Sequence, residues 1–118
     1  MTRKIAVLVG SLRTDSFSRK IARNIEQLAP AGYTFEEIDI SKVGFYNQDL
    51  DGAPPAEWQD LRARIKSADA VLFVTPEYNR SVPGVLKNAI DIASRPYGHS
   101  AFNGKPAAVV SNSPGNIG

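Results

Sequence analysis

The chain has 118 residues, of which 42% are hydrophobic and 22% are charged, and we expect one globular domain over residues 1–118. It has no cysteine and one histidine, His99, which excludes disulfides and thiolate catalysis and disfavours a metal site. The net charge is +2 and the basic residues are scattered, so we expect no nucleic-acid partner. The apolar run near the start is too short to span a membrane and no signal-cleavage pattern follows it, which predicts a cytoplasmic protein without a membrane partner.

The first predicted elements are a buried strand, a helix and a more exposed strand. Residues 5–9 form an unbroken apolar run that ends at Gly10, a pattern typical of a central strand in a parallel sheet. The helix that follows has a polar face that includes Arg19, and an apolar stripe at helical spacing formed by Ile21, Ala22, Ile25, Leu28 and Ala29. Residues 34–40 mix apolar and acidic residues, which predicts a strand nearer an edge of the sheet.

The rest of the chain continues this alternation. A second helix follows the Pro54-Pro55 pair and is marked by Trp58, Leu61 and Ile65. Residues 70–74 predict another central strand, a third helix begins near Pro83 and ends before Pro96, and residues 107–110 predict a fourth strand. Alternating strands and helices of this kind predict a doubly wound α/β sheet with right-handed crossovers.

The loop over residues 10–18 follows the first predicted strand, where open α/β sheets bind ligands. It offers serine hydroxyls, Arg13 and the start of a helix, which are the donors that a phosphate requires. A simpler interpretation is that Ser16 or Ser18 caps the helix and Arg13 is solvated. The loop matches neither the G-x-G-x-x-G dinucleotide pattern nor a Walker loop. Its place after the first strand favours the phosphate site.

Residues 75–91 fit the pattern T-P-E-Y-N-x-S-x-P-G-x-L-K-N-A-I-D, and residues 10–18 fit G-S-L-R-x-x-S-x-S. Together these motifs closely resemble the NADPH-dependent FMN reductases, a family that includes chromate-reducing quinone reductases and some azoreductases. The resemblance covers essentially the whole chain, including the Tyr-Asn-Gln-Asp-Leu segment at residues 46–50. It implies a flavodoxin-like fold with the strand order 2-1-3-4.

The resemblance also implies an FMN site built from three loops. The loop over residues 10–18 holds the phosphate in the family, residues 76–79 lie along the isoalloxazine ring, and residues 111–115 lie near the ring and the ribityl chain. The implied cofactor-binding residues are Ser11, Arg13, Ser16, Ser18, Pro76, Glu77, Tyr78, Asn79, Ser111, Ser113 and Gly115. No side chain is expected to be catalytic, because N5 of FMN carries the redox chemistry.

Two groups of polar residues can each be interpreted in two ways. The first group either lines the flavin pocket or forms a surface turn, and consists of Tyr46, Asn47 and Asp49. The second group either belongs to the functional site or serves helix packing, capping or a subunit contact, and consists of Lys87, Asn88 and Asp91. Relatives assemble as dimers or tetramers, so the helix over residues 85–92 is a candidate for a contact in a homodimer or homotetramer. His99 has no second ligand in sight, and we expect it to be solvated.

The implied activity is hydride transfer from NADPH or NADH, through FMN, to a small-molecule acceptor. The candidate acceptors are quinones, free flavin, azo compounds and oxidised metal anions such as chromate. The alternative is a flavodoxin-like electron carrier or a flavin-binding regulatory module without nicotinamide turnover. Such carriers tend to be strongly acidic, so the net charge of +2 favours the enzyme.

A separate expectation concerns the C-terminal end of the chain. Family members continue past the residues that correspond to 115–118 with a helix, a fifth strand and a final helix. We therefore expect this chain to be C-terminally incomplete, with its fourth strand left as an apolar edge.

Overall fold

The computed structural model describes residues 1–118 and contains one parallel four-stranded sheet in the order β2-β1-β3-β4. The strands are β1 (Arg3–Val9), β2 (Tyr33–Glu37), β3 (Ala70–Pro76) and β4 (Ala107–Asn112). The helices are α1 (Phe17–Leu28), α2 (Ala56–Ser67) and α3 (Gly84–Ala93), with a short 3-10 helix at Gln48–Leu50. The predicted α/β class and the strand order 2-1-3-4 are confirmed.

Helices cover both faces of the sheet. Along β1, Ala6 and Leu8 belong to the larger apolar cluster, which α2 and α3 complete, whereas Val7 and Val9 belong to a smaller cluster with Ala22 of α1. Side chains of a strand alternate between faces, so a strand buried on both sides must be apolar at every position. This explains the uninterrupted apolar run that the sequence shows at β1. No helix combines the length and the hydrophobicity that crossing a bilayer requires.

The apolar stripe of α1 is only partly buried. Ala22 is buried and Ile25 is half-buried, but Leu28 at the end of the stripe is 84% exposed. Leu28 borders an open apolar groove of about 580 Å³, which lies between the end of α1 and the amino-terminal parts of β1 and β3. No element of the chain packs over this groove, so Leu28 stays exposed although Ile25 in the same turn packs against the smaller cluster.

The two outer strands also differ from their predicted bounds. β2 ends at Glu37 rather than at residue 40, because the Asp39 carboxylate accepts hydrogen bonds from the backbone N–H and the hydroxyl of Ser41 and turns the chain. These bonds lower the pKa of Asp39. β4 runs on to Asn112 and forms the other edge of the sheet, where Val109 is 68% exposed.

An ion-pair network joins β1, β2 and α2 around Glu36. Its carboxylate lies 2.7 Å from Lys4 Nζ and 2.6 Å from Arg64 Nη1, and the hydrogen bond from Lys4 is the largest cause of its lowered pKa. A carboxylate with a folded-state pKa below its ordinary value of 4.5 stabilises the fold above that pH. This stabilisation is lost as the pH falls through the lower folded-state pKa.

Replacing Glu36 by glutamine is therefore expected to lower the free energy of unfolding at neutral pH by about 1 kcal/mol or less, since the pairs are partly exposed. The difference from the wild type should shrink as the pH is lowered from 7 to about 3. Urea unfolding across this pH range measures it. The control is Asp60→Asn, which removes only the ion pair of Arg64 with Asp60 at the surface of α2. If the difference in free energy of unfolding between Glu36→Gln and the wild type stays constant with pH, the prediction is contradicted.

Candidate functional site

The loops that follow β1, β3 and β4 meet at the carboxyl edge of the sheet and line one groove of about 600 Å³. Eight of the predicted cofactor-binding residues line it: Ser11, Arg13, Ser16, Ser18, Pro76, Glu77, Tyr78 and Ser113. The other three, which do not line it, are Asn79, Ser111 and Gly115. The groove also takes in residues that the sequence analysis did not single out as site residues, namely Phe17, Lys20, Ile21, Asn24, Asn112 and Pro114.

The start of α1 presents a row of backbone N–H groups that have no hydrogen-bond acceptor in the protein. They belong to Leu12, Thr14, Asp15, Ser16, Phe17 and Ser18. Those of Phe17 and Ser18 lie in the first turn of α1, at the positive end of the helix dipole, and an anion can satisfy several such groups at once. The guanidinium of Arg13 forms no ion pair and lies 5.9 Å from the centre of the Phe17 ring. This donor set suits a phosphate group.

The serines of this loop have structural roles as well. Ser16 is the N-cap of α1, because its Oγ accepts a hydrogen bond of 3.1 Å from the N–H of Arg19. Ser18 is 1% exposed, and its hydroxyl donates a bond of 2.6 Å to Asn112 Oδ1 at the end of β4. The capping interpretation is thus confirmed for Ser16. The Ser18–Asn112 bond fixes the first loop against the third loop.

A tight turn shapes the loop after β3. The N–H of Tyr78 donates to Ser81 O at 2.9 Å and the N–H of Ser81 donates to Tyr78 O at 3.1 Å. Asn79 and Arg80 between them have φ angles of 53° and 68°, as in a two-residue hairpin turn. The Glu77 carboxylate accepts a bond from the N–H of Arg80 and braces this turn. Because the turn folds back, Asn79 lies at its exposed tip, outside the residues that line the groove.

The segment at residues 46–50 does not line the groove: Tyr46 packs against the larger apolar cluster, and residues 47–50 are exposed. Tyr46 donates its N–H to Asn88 Oδ1 at 2.8 Å and its hydroxyl to Asp51 Oδ2 at 2.8 Å, and its ring stacks on Trp58 at 5.5 Å. The bond to Asp51 raises the pKa of Tyr46. The side chain of Asn47 caps the 3-10 helix by accepting the N–H of Asp49. These contacts agree with the surface-turn interpretation and with a packing role for Asn88.

Three other candidate residues lie away from the groove. Lys87 pairs with Asp91 at 2.7 Å along the outer surface of α3, in the i,i+4 spacing that stabilises a helix. His99 is exposed in the loop between α3 and β4. Neither place brings these residues to the groove at the carboxyl edge.

The parallel sheet in the order 2-1-3-4, with helices on both faces and a groove at its carboxyl edge, defines a flavodoxin-like α/β protein. The family model described as NADPH-dependent FMN reductase matches residues 3–118. The chain belongs to this family, as the two loop motifs predicted.

Three relatives illustrate the similarity. A quinone reductase of Pseudomonas putida is 57% identical over 115 residues, which cover 97% of this chain and 62% of the relative. A 2-hydroxy-1,4-benzoquinone reductase of a Burkholderia species is 50% identical, with 100% of this chain and 64% of the relative covered. Among solved structures, FerB from Paracoccus denitrificans, a flavoenzyme NAD(P)H:(acceptor) oxidoreductase, has a TM-score of 0.91 and 47% identity, with 97% of this chain and 63% of that chain covered. The chain thus spans less than two thirds of the length of these relatives.

Proposed function

We propose that this protein is an NAD(P)H-dependent FMN reductase or quinone reductase. The observation that carries the proposal is that Ser16, Phe17 and Ser18 at the start of α1, whose N–H groups are unpaired, line the same groove as Arg13, Pro76 and Tyr78. An anionic group at one end and a flat ring along a Pro-containing loop are the two parts of FMN that such a groove can hold. The names of the relatives add support, since two of them are quinone reductases.

We propose that different residues of the groove bind different parts of FMN. The unpaired N–H groups of residues 16–18 and the guanidinium of Arg13 would hold the phosphate, and residues 76–78 would lie along the ring. Pro76 and the braced turn after it hold that loop in one conformation, which lowers the entropy cost of binding a rigid ring. Asn79, Ser111 and Gly115 are assigned by the family resemblance alone.

When bound, FMN supplies the hydride acceptor for NADPH or NADH and the electron donor for the second substrate. The protein therefore needs no nucleophile of its own, which agrees with a chain that contains no cysteine. For the second substrate we propose a quinone, with free flavin, azo compounds and chromate as further acceptors of the same site.

We also propose that the protein works in the cytoplasm as a homodimer or homotetramer, with α3 at a subunit contact. Asn88 of α3 holds the backbone at Gly44 and Tyr46, and the ring between them, Phe45, is 88% exposed. A large exposed aromatic ring fixed beside a helix is the kind of feature that interfaces bury.

An absorbance spectrum of the purified protein, recorded with FMN and then with NADPH under anaerobic conditions, tests the proposal. The expected result is a near-stoichiometric flavin spectrum that NADPH bleaches, followed by recovery of the flavin bands when a quinone is added. Bound flavin that NADPH does not bleach would favour the electron-carrier alternative. A protein that binds no FMN would refute both.

A further inference from the structure

The side chain of Arg19 binds the backbone of the loop over residues 10–18. The guanidinium of Arg19 donates three ways: from Nη2 to Ser11 O at 3.3 Å, from Nη1 to Arg13 O at 3.3 Å, and from Nε to Glu37 Oε1 at 3.1 Å. The side chain of Arg19 is 26% exposed and that of Glu37 is 42% exposed. One cation on α1 thus binds two carbonyls of the loop and is itself anchored on the last residue of β2.

These bonds set the direction of the loop amides. In a trans peptide the C=O and the following N–H point to opposite sides. With the carbonyls of Ser11 and Arg13 turned toward Arg19, the N–H groups of Leu12 and Thr14 point away from it. Both of these N–H groups are among those with no acceptor in the protein.

The cavities place Arg19 and the groove on different sides of the loop. Arg19 and Glu37 line a small cavity of about 310 Å³ next to Leu12 and Ile38. Ser11 lines both this cavity and the groove, whereas Arg13 and Ser16 line only the groove and Arg19 lines only the cavity. Arg19 therefore does not line the groove, and its hydrogen bonds to the loop are its link to a ligand there.

We propose that Arg19 is a positioning residue that orients the backbone N–H groups of this loop toward the phosphate of FMN, with Glu37 as its anchor. This inference rests on the proposed function. By binding the two carbonyl oxygens, Arg19 keeps their partial negative charge away from the phosphate and leaves the N–H groups free to donate to it. Without Arg19 the peptide groups can rotate, and a carbonyl oxygen then faces an anion.

The strand provides a matched control at the neighbouring position. Glu36 accepts a bond of 2.6 Å from Arg64, so the same Arg–Glu chemistry occurs on the other face of β2. Arg64 also pairs with Asp60 and contacts no carbonyl of the loop over residues 10–18. Removing Arg64 costs an ion pair of the same kind without changing the loop.

The test compares FMN with riboflavin, which has the same ring but no phosphate. Each flavin is titrated into the flavin-free protein and its fluorescence quenching gives the Kd. Arg19→Gln is expected to raise the Kd for FMN about tenfold and to leave the Kd for riboflavin unchanged, because only the hydrogen bonds to the phosphate are lost. Arg64→Gln should change neither Kd. Glu37→Gln should raise the Kd for FMN about threefold, since it weakens the anchor and leaves Arg19 in place.

Arg13→Ala separates failure of this inference from failure of the proposed function. If Arg13→Ala weakens FMN and spares riboflavin but Arg19→Gln weakens both flavins equally or neither, the positioning role is overturned and the phosphate site stands. If Arg13→Ala also fails to distinguish the two flavins, the phosphate does not bind this loop and the proposed site is wrong. Should Arg19→Gln fail to fold, Glu37→Gln provides the same comparison, and equal weakening of both flavins there overturns the inference.

Discussion

Replacing Trp58 by alanine is expected to lower the free energy of unfolding by about 3–5 kcal/mol, the largest stability change among the substitutions considered. Trp58 is 1% exposed and lies within the larger core cluster. Its ring stacks on Tyr46 at 5.5 Å, and its indole N–H donates a bond of 2.7 Å to Val43 O. Alanine leaves a cavity at the joint between α2 and the segment after β2, and leaves the carbonyl of Val43 without a donor.

Trp58→Phe separates packing from the hydrogen bond. Phenylalanine keeps an aromatic ring beside Tyr46 but cannot donate to the Val43 carbonyl, so we expect a loss of about 1–2 kcal/mol. Urea unfolding followed by far-UV circular dichroism measures both variants. If Trp58→Ala lowers the free energy of unfolding by under about 1 kcal/mol, or by no more than Trp58→Phe does, then the packing of Trp58 does not stabilise this core.

The central elements were predictable because their physical constraint is local. Strands β1 and β3 are buried on both faces, so every residue over positions 5–9 and 70–74 must be apolar, and this run is visible without a structure. Alternation with helices then gives the doubly wound fold. The place of the groove follows as well, because the carboxyl ends of parallel strands meet at one edge.

What could not be predicted depends on contacts between distant parts of the chain. The sequence gives no local sign that Ser18 bonds to Asn112 or that β4 continues to that residue, since the partners are 94 positions apart. The position of Asn79 depends on a turn in which two residues that are not glycine have positive φ angles.

Arg19 was overlooked for a similar reason. By its spacing it belongs to the polar face of α1, where an arginine is usually solvated. It bonds to the loop because, in the folded chain, the start of α1 lies beside Glu37, the last residue of β2. Leu28 shows the reverse, since its spacing places it on the apolar stripe of α1 but no element of the fold covers its side chain.

Replacing Gly10 by alanine is expected to destabilise the protein by about 3 kcal/mol, the upper part of the usual range for overpacking. Gly10 joins β1 to the loop that carries Arg13, and its N–H donates to Val74 O at 2.9 Å. A Cβ at this position would lie 2.9 Å from Thr75 Cβ and 3.2 Å from Leu86 Cδ2, both of them buried. Because β3 and α3 hold these atoms in the core, the backbone of the loop has to move instead.

The same displacement should weaken FMN. Movement of the backbone at Gly10 shifts the N–H groups that follow it, so we expect a loss of FMN affinity of about tenfold or more in addition to the loss of stability. Gly84→Ala is the matched control, since a Cβ at the first residue of α3 meets no atom within 4 Å. There alanine should stabilise the helix slightly, by up to about 1 kcal/mol. Urea unfolding and FMN titration of the two variants test both effects. Equal stability of Gly10→Ala and Gly84→Ala would mean that Thr75 and Leu86 leave room for a methyl group at Gly10.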